Sequence, residues 1–113
     1  MAHNQALGAR GEDRAAAWYL ERGYDVADRN WRCAEGELDL VLRRGRTVVF
    51  CEVKTRSSSA FGNPEDAVTA RKAQRIRRLA LRWLDAHGVR AGELRFDVVA
   101  ITGRDVVVFE DAF

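Results

Sequence analysis

The chain has 113 residues, 47% hydrophobic and 32% charged, with one proline, which excludes an intrinsically disordered protein and predicts one globular domain over residues 1–113. The formal net charge of +2 by itself says little about affinity for nucleic acid, so the distribution of the charges matters more. No apolar run approaches the roughly 18 residues of a membrane span, and we expect neither a signal peptide nor a membrane partner.

The first predicted element is a helix over residues 4–22, which Gly23 ends. Glu12 lies in this helix on a stripe of small and apolar neighbours that includes Ala15, Ala16 and Tyr19. An isolated glutamate is usually solvated, but small neighbours would let the helix approach a sheet and direct Glu12 towards it. Residues 24–31 then predict a first strand, of edge type.

Two apolar runs, residues 36–42 and 48–54, flank a basic turn and predict a β-hairpin. The first run contains Glu37 and Asp39, and the second contains Glu52 and Lys54. Strict alternation puts Glu37 and Asp39 on one face, and a loop with an even number of residues adds Glu52 and Lys54 to that face. A two-residue turn at positions 44 and 45 sets Asp39 opposite residue 50, a four-residue loop sets it opposite Glu52, and an odd loop separates the groups.

Charges inside apolar strands are costly to bury unless they are paired or hold a metal ion. Two carboxylates suit a hard cation such as Mg²⁺, and a neighbouring lysine can orient an attacking water or neutralise charge on a phosphate. This pattern favours cleavage of phosphodiester bonds. An ordinary ion pair between Glu52 and Lys54 on a solvated sheet face is the competing interpretation.

A polar loop over residues 57–62 is a candidate substrate contact, and Asn63, followed by a proline and two acids, predicts the start of a helix that ends near His87. One face of this helix carries basic residues without an intervening acid, which suits contact with a phosphate backbone, although a basic face on a single helix is more commonly just solvated. We name these residues the basic ridge: Arg71, Lys72, Arg75, Arg78 and Arg82.

Residues 94–101 and 106–109 predict two final strands, which gives the order α-β-β-β-α-β-β. Asp97 interrupts the apolar run of the first of these strands. Three roles are open for Asp97: it caps a turn, pairs with an arginine, or supports the carboxylates from behind.

These motifs resemble those of the bacterial YraN-like family, which is placed in the restriction-endonuclease-like PD-(D/E)xK nuclease superfamily. Residues 36–41, GELDLV, resemble the signature G-E-[IL]-D-L-[IV], and residues 50–56, FCEVKTR, resemble F-V-E-V-K-x-R. Residues 8–24, 30–32, 61–68 and Lys72 also fit, so the resemblance covers nearly the whole chain.

The resemblance implies a restriction-endonuclease-like α/β core, with a central mixed sheet flanked by helices. It also implies that Asp39 and Glu52 bind Mg²⁺ or Mn²⁺ and that Lys54 positions the attacking water. Archaeal Holliday-junction resolvases are similar in having a helix glutamate, and that likeness adds Glu12 to the catalytic and metal-binding set. Arg56 joins the basic ridge as a candidate phosphate contact, while Glu37 has no fixed role in the superfamily core.

The sequence therefore favours a metal-dependent endonuclease that hydrolyses DNA phosphodiester bonds, with branched or structured DNA in repair or recombination as candidate substrates. Analogy with resolvases, which cut two strands symmetrically, suggests a homodimer. The two cysteines are too few for a disulfide scaffold or a zinc site and favour a cytoplasmic protein. The alternatives are a non-catalytic nucleic-acid-binding protein that retains the nuclease fold, and a scaffold that binds no nucleic acid.

Overall fold

The computed structural model describes residues 2–56 and 68–113, with the side chains of residues 10–55 and 68–113. Neither helix in this part of the chain is long and apolar enough to cross a membrane. The elements, in chain order, are α1 (Ala2–Leu20), β1 (Asp25–Cys33), β2 (Gly36–Arg44), β3 (Thr47–Arg56), α2 (Ala70–His87), β4 (Glu93–Thr102) and β5 (Asp105–Phe109).

The five strands form one sheet in the order β1-β2-β3-β4-β5. Strands β3 and β4 are parallel and every other neighbouring pair is antiparallel, so the sheet is mixed, as predicted. The parallel pair requires a crossover connection, and α2 lies in that connection. Strand β1 forms one edge of the sheet, as the sequence also predicted.

The two helices pack on opposite faces of the sheet, because neighbouring residues of β3 belong to different apolar clusters. Val49 and Cys51 pack with α1, whereas Val48 and Phe50 pack with α2. This alternation places Glu52 and Lys54, which continue the Phe50 parity, on the α2 side of the sheet.

Helix α1 lies close to β3 because residue 11 of the helix has no side chain. A Cβ atom built on Gly11 would clash with Thr55 Oγ1 and would lie 3.4 Å from Thr55 Cβ and 3.6 Å from Ile101 Cδ1. Ala15 and Ala16 extend this small-residue face and are buried. The expectation that small residues bring the helix near the sheet is therefore confirmed.

Helix α2 begins later than the sequence predicted. Its N-cap is Thr69, whose side chain accepts a hydrogen bond from the Lys72 N–H, and residues 68 and 69 are not helical. The prediction of one helix from Asn63 to His87 is thus wrong, although Asn63 itself and the loop over residues 57–62 lie outside the described residues. The predicted end is correct, since Gly88 takes a left-handed φ of 63° after His87.

The hairpin turn lies one residue further along than predicted. Arg44 pairs with Thr47, so Gly45 and Arg46 form the two-residue turn rather than Arg44 and Gly45. The physical reason is that the first turn position needs a positive φ, and Gly45 adopts 60° there. The loop is even-numbered, as the shared face required, and the shifted register places Asp39 level with Glu52.

Strict alternation along β2 was also a wrong expectation. Leu40 packs on the α1 side, whereas Leu38, two residues earlier, packs on the α2 side. The adjacent strand explains the change, because Asn30 has a left-handed φ of 52° and lies between the pairs Arg29–Leu40 and Trp31–Leu38. Asparagine tolerates this backbone better than most residues. The alternation of β2 side chains between the two faces of the sheet is therefore interrupted at Asp39.

We expect Gly11→Ala to lower the free energy of unfolding by about 1–3 kcal/mol through overpacking against Thr55, a stiff β-branched residue. Helix propensity alone predicts the opposite sign, about 1 kcal/mol of stabilisation. Urea unfolding of the variant measures the difference. Ala17→Gly, at an exposed position of α1, calibrates the propensity, and Thr55→Ala should recover part of the loss. A stabilised Gly11→Ala variant would contradict the close approach.

Candidate carboxylate–lysine site

The site lies where β2 and β3 stop pairing. The described ladder between these strands ends at Leu40 and Cys51, one residue before Asp39 and Glu52. Beyond that point the Asp39 carboxylate replaces a backbone acceptor, because its Oδ2 accepts a hydrogen bond of 3.0 Å from the Val53 N–H. The side chain of Asp39 thus supplies an acceptor to a backbone donor that would be costly to leave unpaired.

Helix α1 contributes Glu12, whose side chain is only 14% exposed. Its Oε2 accepts a hydrogen bond of 2.9 Å from Asn30 Nδ2 and lies 3.5 Å from a guanidinium nitrogen of Arg29. Both partners stand on β1 beside the left-handed turn of the backbone at Asn30. Glu12 is therefore held against the sheet rather than left in solvent.

Strand β3 contributes Glu52 and Lys54, and α2 adds Lys72. Glu52 Oε1 lies 3.4 Å from Lys54 Nζ and 2.6 Å from Lys72 Nζ, and the Glu52 side chain is 11% exposed. The sequence analysis placed Lys72 on the basic ridge and in the family resemblance but not beside Glu52, where the structure brings it. We call the group formed by Glu12, Asp39, Glu52, Lys54 and Lys72 the carboxylate–lysine site.

Burial and neighbouring negative charge both act on Asp39. Burial raises the pKa of Asp39 from 3.8 to about 7, and the charge of Glu52 adds to this rise, with smaller contributions from Glu12 and Glu37. The hydrogen bond from Val53 acts in the opposite direction. The carboxylates are thus close enough to repel one another, which indicates a place where a bound cation would be stabilised.

The pKa values of the two lysines are shifted in opposite directions. Burial lowers the pKa of Lys54, and the neighbouring Lys72 lowers it further, against the pull of Glu52. Burial also acts to lower the pKa of Lys72, but contacts with Glu52 and Lys54 raise it overall. Lys72 therefore carries the more secure positive charge, and Lys54 is the lysine that more readily gives up a proton.

The donor set fits a hard divalent cation. Carboxylate oxygens such as those of Asp39 and Glu52 are the ligands that Mg²⁺ prefers, and Mg²⁺ keeps several waters in place of further protein ligands. Among the described side chains, those of residues 10–55 and 68–113, no group of three or more His, Cys, Asp or Glu is arranged to hold a metal ion. Asp39 and Glu52 are the pair that would hold such an ion, with water among its further ligands.

Two of the predicted acidic residues have other partners. Glu37 pairs with Arg32 at 2.7 Å and reaches the site only through its charge on Asp39. Asp97 is fully buried and accepts hydrogen bonds from the side chains of Arg95 and Tyr19 and from the Asp111 N–H. Two of the three roles left open for Asp97 are therefore present, the pair with an arginine and a bond to the turn after β5.

The basic ridge is exposed but partly neutralised. Arg71, Arg75, Arg78 and Arg82 all point to solvent on α2. Glu35, in the turn between β1 and β2, lies 2.5 Å from Arg82 and 3.9 Å from Arg78. The sequence argument considered only acids within the helix and so missed Glu35. Strand β3 carries Arg56 at its end, and the side chain of Arg56 lies outside the described part.

Arg29 and Asn30 are the site neighbours that the sequence analysis did not identify. The available signal was Asn30 inside a predicted strand, since asparagine is depleted in strands and enriched at left-handed positions. That signal indicates an irregular strand but does not say that Glu12, eighteen positions earlier, is the partner.

We expect Asp39→Asn to stabilise the metal-free protein in a pH-dependent way. Because folding raises the pKa of Asp39 from 3.8 to about 7, Asp39 costs no stability below pH 4 and an increasing amount as the pH rises to 7. The gain from Asp39→Asn should be small at pH 4 and of the order of 4 kcal/mol at pH 8.

Urea unfolding in EDTA at both pH values measures this gain. Asp105→Asn, at an exposed position of β5, is the matched control and should show no such trend. Equal effects of Asp39→Asn on stability at pH 4 and pH 8 would contradict the raised pKa of Asp39.

The amino-acid sequence of this chain matches those of a known protein family. Residues 11–101 match the family described as "Uncharacterised protein family UPF0102". A UPF0102 protein of Beutenbergia cavernae is 56% identical over 101 residues, which cover 89% of this chain and 86% of that protein. UPF0102 proteins of Frankia alni and Rhodococcus jostii are 54% identical over 102 residues and 52% identical over 101 residues.

These alignments cover 90% of this chain and 85% of the Frankia protein, and 89% of this chain and 86% of the Rhodococcus protein. The family match includes every member of the carboxylate–lysine site. The predicted YraN-like membership is thereby confirmed. The chain belongs to the protein family UPF0102.

Proposed function

We propose that this protein is a metal-dependent endonuclease that hydrolyses DNA phosphodiester bonds. The observation that carries the proposal is the meeting of Asp39 and Glu52, on adjacent strands, beside Lys54 and at the end of their ladder. A carboxylate pair with a neighbouring lysine, at the point where two strands separate, is suited to holding a cation and a water against a phosphate.

The proposed fold is the restriction-endonuclease-like core, with the likeness to archaeal Holliday-junction resolvases that the motifs suggest. A mixed five-stranded sheet between two helices supports this assignment, as does the succession α1, β1, β2, β3, α2, β4, β5. The position of Glu12 on α1, 2.9 Å from a β1 side chain and close enough to affect Asp39, supports the resolvase likeness.

In this proposal Asp39 and Glu52 hold Mg²⁺ or Mn²⁺, and Glu12 contributes directly or through a water. The bound ion would supply Lewis-acid polarisation of the phosphate and a more acidic bound water. Asp39 is well suited to fixing the ion's position, because the Val53 N–H holds one of its oxygens and leaves the other available.

Lys54 would orient the attacking water. Its Nζ lies 3.4 Å from Glu52, so a water between that ammonium and a phosphate would be close to the carboxylates. Since burial and Lys72 lower the pKa of Lys54, this side chain exchanges a proton more readily than an ordinary surface lysine. Lys54 would thus combine positioning with proton transfer.

The DNA backbone would lie along α2. Arg71 and Arg75 are exposed near the end of the helix that carries Lys72, while Glu35 pairs with the more distant Arg78 and Arg82. We therefore propose Arg71 and Arg75 as the first phosphate contacts, with Arg56 as a further one. Branched or structured DNA as substrate, a homodimer and a cytoplasmic location are part of the same proposal.

A non-catalytic nucleic-acid-binding protein is the second candidate. One observation favours it: the Lys72 ammonium lies 2.6 Å from Glu52 and already neutralises one of the two proposed metal ligands. In that case the basic ridge would bind DNA in a salt-dependent way, without turnover.

A cleavage assay on single-stranded, duplex, flap and four-way-junction DNA distinguishes the two candidates. We expect cleavage with Mg²⁺ or Mn²⁺ and none in EDTA, and a loss of at least about 100-fold in Glu52→Gln and in Lys54→Ala. Glu21→Gln, an isosteric change at an exposed acid of the segment after α1, is the control and should cleave normally.

Normal cleavage by both Glu52→Gln and Lys54→Ala would reject the site. Binding to one DNA shape, with no metal-dependent cleavage by the wild-type protein, would favour the non-catalytic candidate.

Arg75→Ala and Glu35→Gln should change DNA affinity in opposite directions. Loss of one phosphate contact in Arg75→Ala weakens binding and reduces the slope of log affinity against log salt by about 1. Glu35→Gln removes the carboxylate that pairs with Arg78 and Arg82, and so should strengthen binding. Fluorescence anisotropy in EDTA over a salt series measures both. Unchanged affinity in both variants would remove α2 from the proposed interface.

A further inference from the structure

The side chain of Lys72 is less exposed than those of Arg78 and Arg82 on the same basic ridge. Its side chain is 28% exposed, against 60% for Arg78 and 65% for Arg82. Its backbone N–H donates to Thr69 Oγ1 at 3.1 Å, so the helix cap fixes the point from which the side chain leaves α2. From there the ammonium reaches Glu52 rather than solvent.

The ammonium groups of Lys54 and Lys72 both contact the same carboxylate oxygen of Glu52. Lys72 Nζ is 2.6 Å and Lys54 Nζ is 3.4 Å from Glu52 Oε1. A divalent cation that coordinates this oxygen would meet two positive charges within contact distance. At least one of them must therefore move away, because repulsion between cations at such a separation is strong in a partly buried site.

The two lysines are not equally free to move. Lys54 stands on β3 only two residues from Glu52 and on the same face of the sheet, so its side chain starts close to that carboxylate whichever rotamer it adopts. Lys72 belongs to a different element and reaches Glu52 through a flexible stem of four methylene groups. Rotation of that stem moves the Lys72 ammonium away without disturbing the sheet.

We propose that Lys72 is an exchangeable internal counter-ion of Glu52, which neutralises this carboxylate in the metal-free protein and leaves it when a divalent cation binds to Asp39 and Glu52. This inference rests on the metal site of the proposed function and adds the residue that competes for it. Once displaced, the ammonium of Lys72 joins Arg71 and Arg75 on the end of α2 proposed to contact phosphate.

The experiment measures binding of Mn²⁺ alone, by titration calorimetry, to the full-length wild-type protein and three variants. Lys72→Gln removes the competing charge and should tighten Mn²⁺ binding about fivefold. Lys72→Arg keeps the charge and should bind Mn²⁺ as the wild type does. Arg77→Gln removes a charge from the same helix at a residue that lies over the Phe96 ring, and should leave the affinity unchanged.

Thermal unfolding gives a second readout that does not depend on activity. In EDTA the Tm of Lys72→Gln should be below that of the wild type, since Glu52 loses its nearer cation beside Asp39. Saturating Mn²⁺ should then raise the Tm of Lys72→Gln by more than that of the wild type.

The outcomes separate the inference from the function on which it rests. If the wild type binds Mn²⁺ and Lys72→Gln binds it equally or more weakly, the competition is refuted while the metal site stands. If neither protein binds Mn²⁺, both the metal site and the counter-ion role are rejected. Equal tightening in Arg77→Gln would show a general charge effect and would also overturn the role of Lys72.

Discussion

The hydrogen bond from the Val53 N–H to Asp39 is the interaction on which the rest of the site depends. It replaces backbone pairing at the point where the β2–β3 ladder ends, so the strands can separate without leaving a backbone donor unpaired. The same bond fixes a carboxylate next to Glu52. Helix α1 approaches from one face with Glu12, and α2 from the other face with Lys72, because both can reach the point of separation.

Such a site opposes folding in the absence of a ligand. Burial, aided by the charges of neighbouring carboxylates, raises the pKa of Asp39 to about 7, and the cations Arg29, Arg32, Lys54 and Lys72 lie beside the carboxylates without removing that rise. The apolar clusters on the two faces of the sheet must supply the compensating stability. Like-charge crowding of this kind is common where a protein stores the capacity to bind a cation or a proton.

Much of this arrangement follows from local sequence patterns. Periodicity and turn chemistry are sufficient for features that depend on residues close together in the chain. These features are the two strands of the hairpin, the common face of Glu52 and Lys54, and the helix end at Gly88. The choice of hairpin turn failed by one residue because a single glycine fits either turn position in the pattern. Only the preference for a positive φ at the first position decides between them.

The contacts that could not be predicted join residues remote in sequence. Glu35 reaches Arg82 and Lys72 reaches Glu52 across elements whose relative placement depends on the packed core rather than on spacing. The irregular backbone at Asn30 is likewise sustained by its surroundings, because a left-handed non-glycine residue is disfavoured in isolation. Pattern reasoning identified the chemistry of the hairpin, whereas tertiary packing determined which charges neutralise it.

The mixed topology has a consequence for the order in which the site can assemble. Strands β2 and β3 are joined by two residues, whereas β4 reaches its parallel partner β3 only after the whole crossover that contains α2. Loop-closure entropy favours the shorter connection, and contacts of high sequence separation form more slowly. A chain that has formed only its hairpin already holds Asp39 and Glu52 side by side, before either helix has delivered Glu12 or Lys72.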